Sequence, residues 1–277
     1  IMITTGTRAE YGLLRPVLQK ISKNKNLQLF LVVTGTHLSK KHGMTINEIR
    51  NDGFKIFQTM KFLPEESTNF HTAKSLGNGI INFAKIFNKI KPDINVVLGD
   101  RPEVLASAIS AYTMNIPNAH IHGGDVSGNI DELMRHAITK LAHIHFVANV
   151  KAKKRLTQMG ESKNNVFVIG SPEIDIMKSK NLPTLSKVKE RYNIKFDSFS
   201  IFIFHPLSTE FNNTFSQIHD TISALISSEK NFRSSISVQF LGGLNVAFIN
   251  ESNFAISVLP LKYLIVFVFI THSLFIV

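Results

Sequence analysis

Short apolar runs rich in Val, Ile and Phe alternate with stretches of helical periodicity along most of this chain, and that alternation constrains the fold most tightly. A continuous apolar run of four to eight residues followed by a helical pattern is the signature of repeated βα units, which build a parallel sheet covered on both faces. The strand candidates are 1–5, 27–34, 54–58, 94–98, 118–122, 144–148, 166–169 and 200–204. Between them, Leu14, Val17, Leu18 and Ile21 mark one helix face. Thr45 followed by Glu48 has the spacing of a capping box. Ile80, Ala84, Phe87 and Lys91 trace a longer helix that Pro92 stops. The predicted class is α/β with a Rossmann-like parallel sheet. The segment 181–186, with Pro183, reads as the hinge after a first domain over 1–180. A second domain would begin over 181–230.

Position carries the functional reading. In open parallel sheets, ligands bind beyond the carboxyl ends of the strands. Five polar clusters each follow a strand: Gly6-Thr7-Arg8, Gly35-Thr36-His37, Gly99-Asp100-Arg101, His120–Asp125 and His205-Pro206. One crevice would collect all five. Gly6-Thr7-Arg8 offers backbone N–H groups at a helix start and a guanidinium, both suited to phosphate, although an ordinary βα turn uses glycine as often. Asp100 ends a buried strand and must be solvated, paired or used. Its structural alternatives are pairing with Arg101 or capping the next helix. His120 and His122 stand on one face of a strand ahead of Gly123-Gly124-Asp125. The pattern admits a metal site lacking a third ligand, or acid–base groups around a bound sugar. Asp131 opens a helix over 131–142, as an N-cap or as a catalytic carboxylate. That helix adds Arg135, His136 and Lys140 as a basic flank, with Lys140 toward solvent, while His143 and His145 read as structural.

The charge balance of 31 Lys+Arg against 20 Asp+Glu, a net +11, favours anionic partners, whether a nucleic acid or a nucleotide diphosphate. The densest basic run, residues 151–155, reads as a solvated helix face. A basic nucleic-acid-binding module is the alternative from another functional class. The absence of cysteine excludes disulfides, thiolate catalysis and Cys-based zinc sites, and suits a cytoplasmic enzyme. No signal peptide is visible, and Ile1 already lies within a strand pattern, so natural residues are expected ahead of it. After Asn231 only Arg233, Glu251 and Lys262 are charged, and the βα alternation stops. Residues 231–277 therefore read as an aberrant apolar tail, as from a frameshift or truncation. The run 263–270 falls short of the roughly 20 apolar residues a membrane span needs.

Several of these stretches, taken in order, resemble the hydrolysing UDP-N-acetylglucosamine 2-epimerases. They are residues 5–16 (TGTRAEYGLLRP), 33–38 (VTGTHL), 97–101 (VLGDR), 120–125 (HIHGGD) and 131–142 (DELMRHAITKLA). The resemblance runs from Ile1 to about Ser227. It implies two facing Rossmann-like domains of GT-B type, the second incomplete here, with a UDP-sugar between them. It implies elimination of UDP followed by hydration to N-acetylmannosamine, as in nonulosonic (sialic-type) acid biosynthesis, with no metal or other cofactor. It further implies a homo-oligomer at full length, and neither nucleic acid nor membrane as partner. Carried over by position, Asp100 and Asp131 would be acid–base carboxylates, with His122 and Asp125 catalytic at the sugar. Arg8 and His205 would meet the diphosphate, and Arg101, Arg135 and His136 would line the substrate site. Relatives usually carry Glu where Asp125 stands, a difference of one methylene that moves a carboxylate by about an ångström. The stretch 169–177 (IGSPEIDIM) resembles a bacterial branch acting on a UDP-2,4-diacetamido-2,4,6-trideoxyhexose in a legionaminic-type pathway. A chain truncated in its second domain would be inactive.

Overall fold

The structure is a computed structural model that describes residues 1–64, 68–127, 130–179, 182–191, 194, 199–202, 213–228, 236–240, 247–249 and 266–271. The chain divides into two compact units, Ile1–Leu182 and Pro183–Val277.

The first unit is built on seven parallel strands: β1 (Met2–Thr5), β2 (Phe30–Val33), β3 (Ile56–Thr59), β4 (Asn95–Leu98), β5 (Asn118–Ile121), β6 (Ile144–Val147) and β7 (Val166–Val168). Their order across the sheet is β3-β2-β1-β4-β5-β6-β7. Strand succession runs outward from β1 to β3, then returns to the other side of β1. The reversal between β1 and β4 is the topological switch point, where open α/β sheets form their ligand crevice. β2 is shorter than the apolar run 27–34 because its ladder extends only from Met2↔Phe30 to Thr5↔Val33.

The connecting helices are α1 (Arg8–Lys23), α2 (Ile46–Asn51), α3 (Asn69–Ile90), α4 (Pro102–Thr113), α5 (Ile130–Lys140), α6 (Val150–Gln158) and α7 (Glu173–Met177). Successive strand residues serve opposite faces, as a period of two requires. Ile3, Leu31, Val33, Val96 and Leu98 join Leu14, Leu18, Ile46 and Ile49 of α1 and α2 on one side. On the other, Met2 and Val32 meet Phe83, Phe87, Ala106 and Ala111 of α3 and α4. Val97 meets Val104, Ala108 and Ile138. The central strands β1, β4 and β5 are buried at every position, so they do not show the alternation of a half-solvated sheet. Phe83 and Phe87 are fully buried, and each contributes roughly 2–3 kcal/mol of transfer free energy.

Helix ends depart from the sequence reading in two places. Thr45 precedes α2 without a side-chain cap bond. Its hydroxyl lies 2.7 Å from Nδ1 of the buried His37, and Glu48 pairs instead with Arg8, so no capping box forms there. At α1 the same spacing does form a cap. Thr7 Oγ1 accepts from the Glu10 amide at 3.3 Å, and the Glu10 carboxyl reaches back to accept from the Gly6 amide at 2.9 Å.

The second unit contains α8 (Leu185–Arg191), β8 (Phe199–Phe202), α9 (Thr214–Ser228), β9 (Ile236–Phe240), β10 (Ala247–Ile249) and β11 (Val266–Thr271). Its strands pair antiparallel in the order β10-β9-β11-β8. Among the described residues, no helix is long and apolar enough to cross a membrane.

Candidate active site

The turn after β1 is shaped by what stands behind it. A Cβ on Gly6 would come within 1.9 Å of Glu103 Oε1, so only glycine lets the start of α4 approach this closely. Gly35, at φ 58° in the turn after β2, is pressed against the same pair, its Cβ position 2.6 Å from the Gly6 carbonyl oxygen. Thr36 donates its hydroxyl to that carbonyl at 3.1 Å, tying the two turns together. Burial first, and the neighbouring Glu103 second, push the Glu10 carboxyl up to about 8. Glu10 is therefore a neutral acid at pH 7 and still accepts from Gly6. Within the Gly6-Thr7-Arg8 turn the Gly6 N–H is taken by this cap, as is the Glu10 N–H further along the helix.

Arg8 stands at the first position of α1, about half exposed, with Nε 3.2 Å from Glu48. Arg101 precedes α4 and donates Nε–H to the buried Glu103 at 2.7 Å. Asp100 neither pairs with Arg101 nor caps α4. The turn runs through Gly99 at φ 77°, and the Asp100 carboxylate receives Nη2 of Arg135.

Arg135 is buried, and its fork joins two loops. Nη1 donates to the Asp125 carbonyl at 2.7 Å and approaches Ser127 Oγ at 3.5 Å, while Nη2 holds Asp100. His122 leaves the end of β5 at φ 64°, a left-handed conformation that costs a non-glycine residue about 1–2 kcal/mol. The two imidazoles therefore do not act from one strand face. His120 is fully buried, with Nε2 2.8 Å from the Gly99 carbonyl and Nδ1 3.1 Å from Thr139 Oγ1. Burial lowers its pKa to about 3, so it is a neutral Nε2–H donor that braces the Gly99 turn. His122 Nδ1 instead meets the Asp125 carboxylate at 3.2 Å, and its Nε2 meets Ser171 Oγ at 3.1 Å.

One hydrogen-bonded chain therefore crosses the sheet: Asp100 after β4, Arg135 on α5, Asp125 and His122 after β5, and Ser171 after β7. Asp131 is exposed in the first turn of α5, which begins at Ile130, so it is not the N-cap. It lies four residues before Arg135, on the same helix face. His136 sits 3.6 Å from Glu132, its i−4 neighbour on α5, rather than in the chain through Asp100. His205 lies outside the described residues. Among those described, no group of three His, Cys, Asp or Glu side chains is placed to hold a metal ion.

Three contributors escaped the sequence reading. Glu10 was legible as the third residue after Thr7. Ser171 lay in a noted motif without a role. Arg155 was counted with a solvated basic face, yet it donates to the Gly124 carbonyl and pins the loop carrying Asp125. From the same run, Lys153 donates to the Val166 carbonyl at 2.7 Å. Lys140 lies toward solvent as expected, with its side chain 54% exposed, and reaches Glu161 at 2.5 Å from there.

Residues 19–277 match the family described as UDP-N-acetylglucosamine 2-epimerase. The chain is 38% identical, over 82% of its length and 60% of the relative's, to a UDP-N,N'-diacetylbacillosamine 2-epimerase (hydrolyzing) of Legionella pneumophila. It is 39% identical, over 76% of its length and 55% of the relative's, to a UDP-N-acetylglucosamine 2-epimerase of Neisseria meningitidis serogroup B. The chain thus spans 55–60% of the length of these two relatives. Its fold is shared with the UDP-GlcNAc 2-epimerase of Methanocaldococcus jannaschii, solved with UDP-GlcNAc and UDP. That likeness has a TM-score of 0.65 at 23% identity, over 82% of this chain and 62% of the other.

Proposed function

Since the chain belongs to the UDP-N-acetylglucosamine 2-epimerase family, we propose that its crevice serves a hydrolysing sugar-nucleotide 2-epimerase acting on UDP-N-acetylglucosamine. The observation that carries this reading is the chain from Asp100 through Arg135, Asp125 and His122 to Ser171, beside the β1/β4 switch point.

The reaction demands a base for the weakly acidic C2 proton, cations for the departing diphosphate, and a group to direct water. In the first half, the base takes the C2 proton, the C1–O bond breaks toward UDP, and a C1=C2 double bond forms. In the second, water adds at C1, its proton goes to a base, and C2 is reprotonated from the opposite face, giving N-acetylmannosamine. Asp100 is assigned an acid–base role: Arg135 fixes its carboxylate, so proton transfer begins from one geometry. Asp131, one turn from Arg135 on an exposed helix start, is the second acid–base candidate. Arg8 and Arg101 flank the β1 turn and supply positive charge for the diphosphate. His122 and Asp125 border the sugar. The relatives differ in substrate, so a UDP-2,4-diacetamido-2,4,6-trideoxyhexose is the alternative.

The test is product analysis by NMR with each nucleotide in turn, on a version with a complete second domain (the wild type below) and on its Asp100→Asn variant. The proposal expects UDP and the free 2-epimeric sugar from wild type. It expects turnover to fall by a hundredfold or more in Asp100→Asn, with UDP affinity within about twofold. Undiminished turnover in that variant refutes its acid–base role. A wild type with a complete second domain that turns over neither nucleotide refutes the assignment.

A further inference from the structure

We infer that Ser171 is a positioning residue for His122, and that with Asp125 it fixes the imidazole so that Nε2 is presented to the crevice as a proton acceptor. The inference rests on the sugar-nucleotide reading for what Nε2 would meet, but the arrangement itself is read from three side chains.

Asp125 approaches Nδ1 at 3.2 Å, and an ionised carboxylate can only accept. The Nδ1 therefore carries the proton in the neutral ring, which leaves a lone pair on Nε2. Ser171 Oγ stands 3.1 Å from that nitrogen and is the donor to it. Both ring nitrogens are thus held, and the ring can neither flip nor change tautomer without losing a bond.

The partners are themselves fixed. Arg135 binds the Asp125 carbonyl and Arg155 binds that of Gly124, from two different helices. Ser171 sits between Gly170, at φ 79°, and Pro172, whose ring locks the backbone entering α7. His122 carries left-handed strain as it leaves β5, although a glycine would adopt that conformation freely. Its side chain remains partly exposed, 17%, so the anchored ring still opens to a ligand. Local strain retained under such bonding marks an over-determined position.

A serine nucleophile fits the same three residues less well. The residue after Ser171 is Pro172, which has no N–H to give a developing oxyanion. Held as described, Ser171 keeps Nε2 desolvated and aimed until a sugar hydroxyl or a water takes its place.

The test is 15N-histidine NMR on the full chain without nucleotide, so its result is independent of whether the epimerase reading holds. The expected wild-type spectrum shows neutral His122 protonated on Nδ1, with an Nε2 resonance typical of an acceptor. Ser171→Ala should move the Nε2 resonance downfield by several ppm, and Ser171→Thr should restore it. A wild-type His122 protonated on Nε2 overturns the inference, even if the alanine variant does not fold. So does a folded Ser171→Ala protein, judged by unchanged His37 and His120 signals, whose His122 Nε2 resonance is unmoved.

Discussion

Replacing Arg135 with alanine removes the side chain that joins the turn after β4 to the loop after β5. Three partners lose a donor: the Asp100 carboxylate, the Asp125 carbonyl and Ser127 Oγ. A broken buried ion pair costs about 3–5 kcal/mol, chiefly because the remaining charge stays desolvated. Asp100 keeps 23% of its side chain exposed, so water recovers part of that penalty. The 3.5 Å contact to Ser127 adds little. The expected loss is about 3 kcal/mol. In a unit of this size each kcal/mol lowers Tm by roughly 2–4 °C, so the midpoint should fall by about 6–12 °C. Scanning calorimetry and urea titration at pH 7 measure it, with Lys151→Ala on the exposed start of α6 as a control expected within about 0.5 kcal/mol. Adding Asp100→Asn to Arg135→Ala removes the stranded charge and should restore about 1–2 kcal/mol relative to additivity. An Arg135→Ala protein no less stable than the control, or strictly additive behaviour in the double variant, refutes the reasoning.

Two further outcomes follow from the turn after β1. The Glu10 carboxyl titrates near 8 in the folded chain against about 4.5 when unfolded, so the folded state binds the extra proton between those values. Stability from this group is fully present below about 4.5 and is lost as pH rises through about 8. Glu10→Gln keeps the acceptor for Gly6, and its urea midpoint should exceed that of wild type at about pH 8 while the two converge near pH 5; parallel pH curves contradict it. Gly6→Ala places a methyl group on Glu103, and should cost roughly 2 kcal/mol or more in thermal unfolding, most of it recovered by also making Glu103→Ala. A Gly6→Ala protein as stable as wild type would mean that α4 does not approach the β1 turn as described.

The strands, and hence the carboxyl ends that the polar turns follow, were legible because a parallel sheet whose central strands are buried on both faces leaves near-continuous apolar runs. β4, β5 and β6 fall within a residue of their expected ends for that reason. What the sequence could not give is which polar residues meet. Asp100 lies 35 positions from Arg135, and Gly124 lies 31 from Arg155; neither separation carries a periodic signal. Arg101 looked the nearer partner for Asp100, but it turns to Glu103, whose burial demands a cation. Local patterns misled where two uses competed for one group. Thr45 and Glu48 have capping-box spacing, but His37 and Arg8 claim them, while Thr7 and Glu10, equally spaced, do form a cap. The paired imidazoles of 120–122 looked alike on a strand, yet the glycines that follow allow His122 to turn out while His120 stays in the core.

The most direct measurement is a residue-resolved amide NMR titration of this chain with UDP-N-acetylglucosamine. The proposed crevice predicts saturable shifts gathered at Gly6–Arg8, Gly99–Arg101, His122–Asp125 and Ser171. Shifts confined to the basic face of α6 or to the β3 edge, or none at millimolar nucleotide, would contradict it.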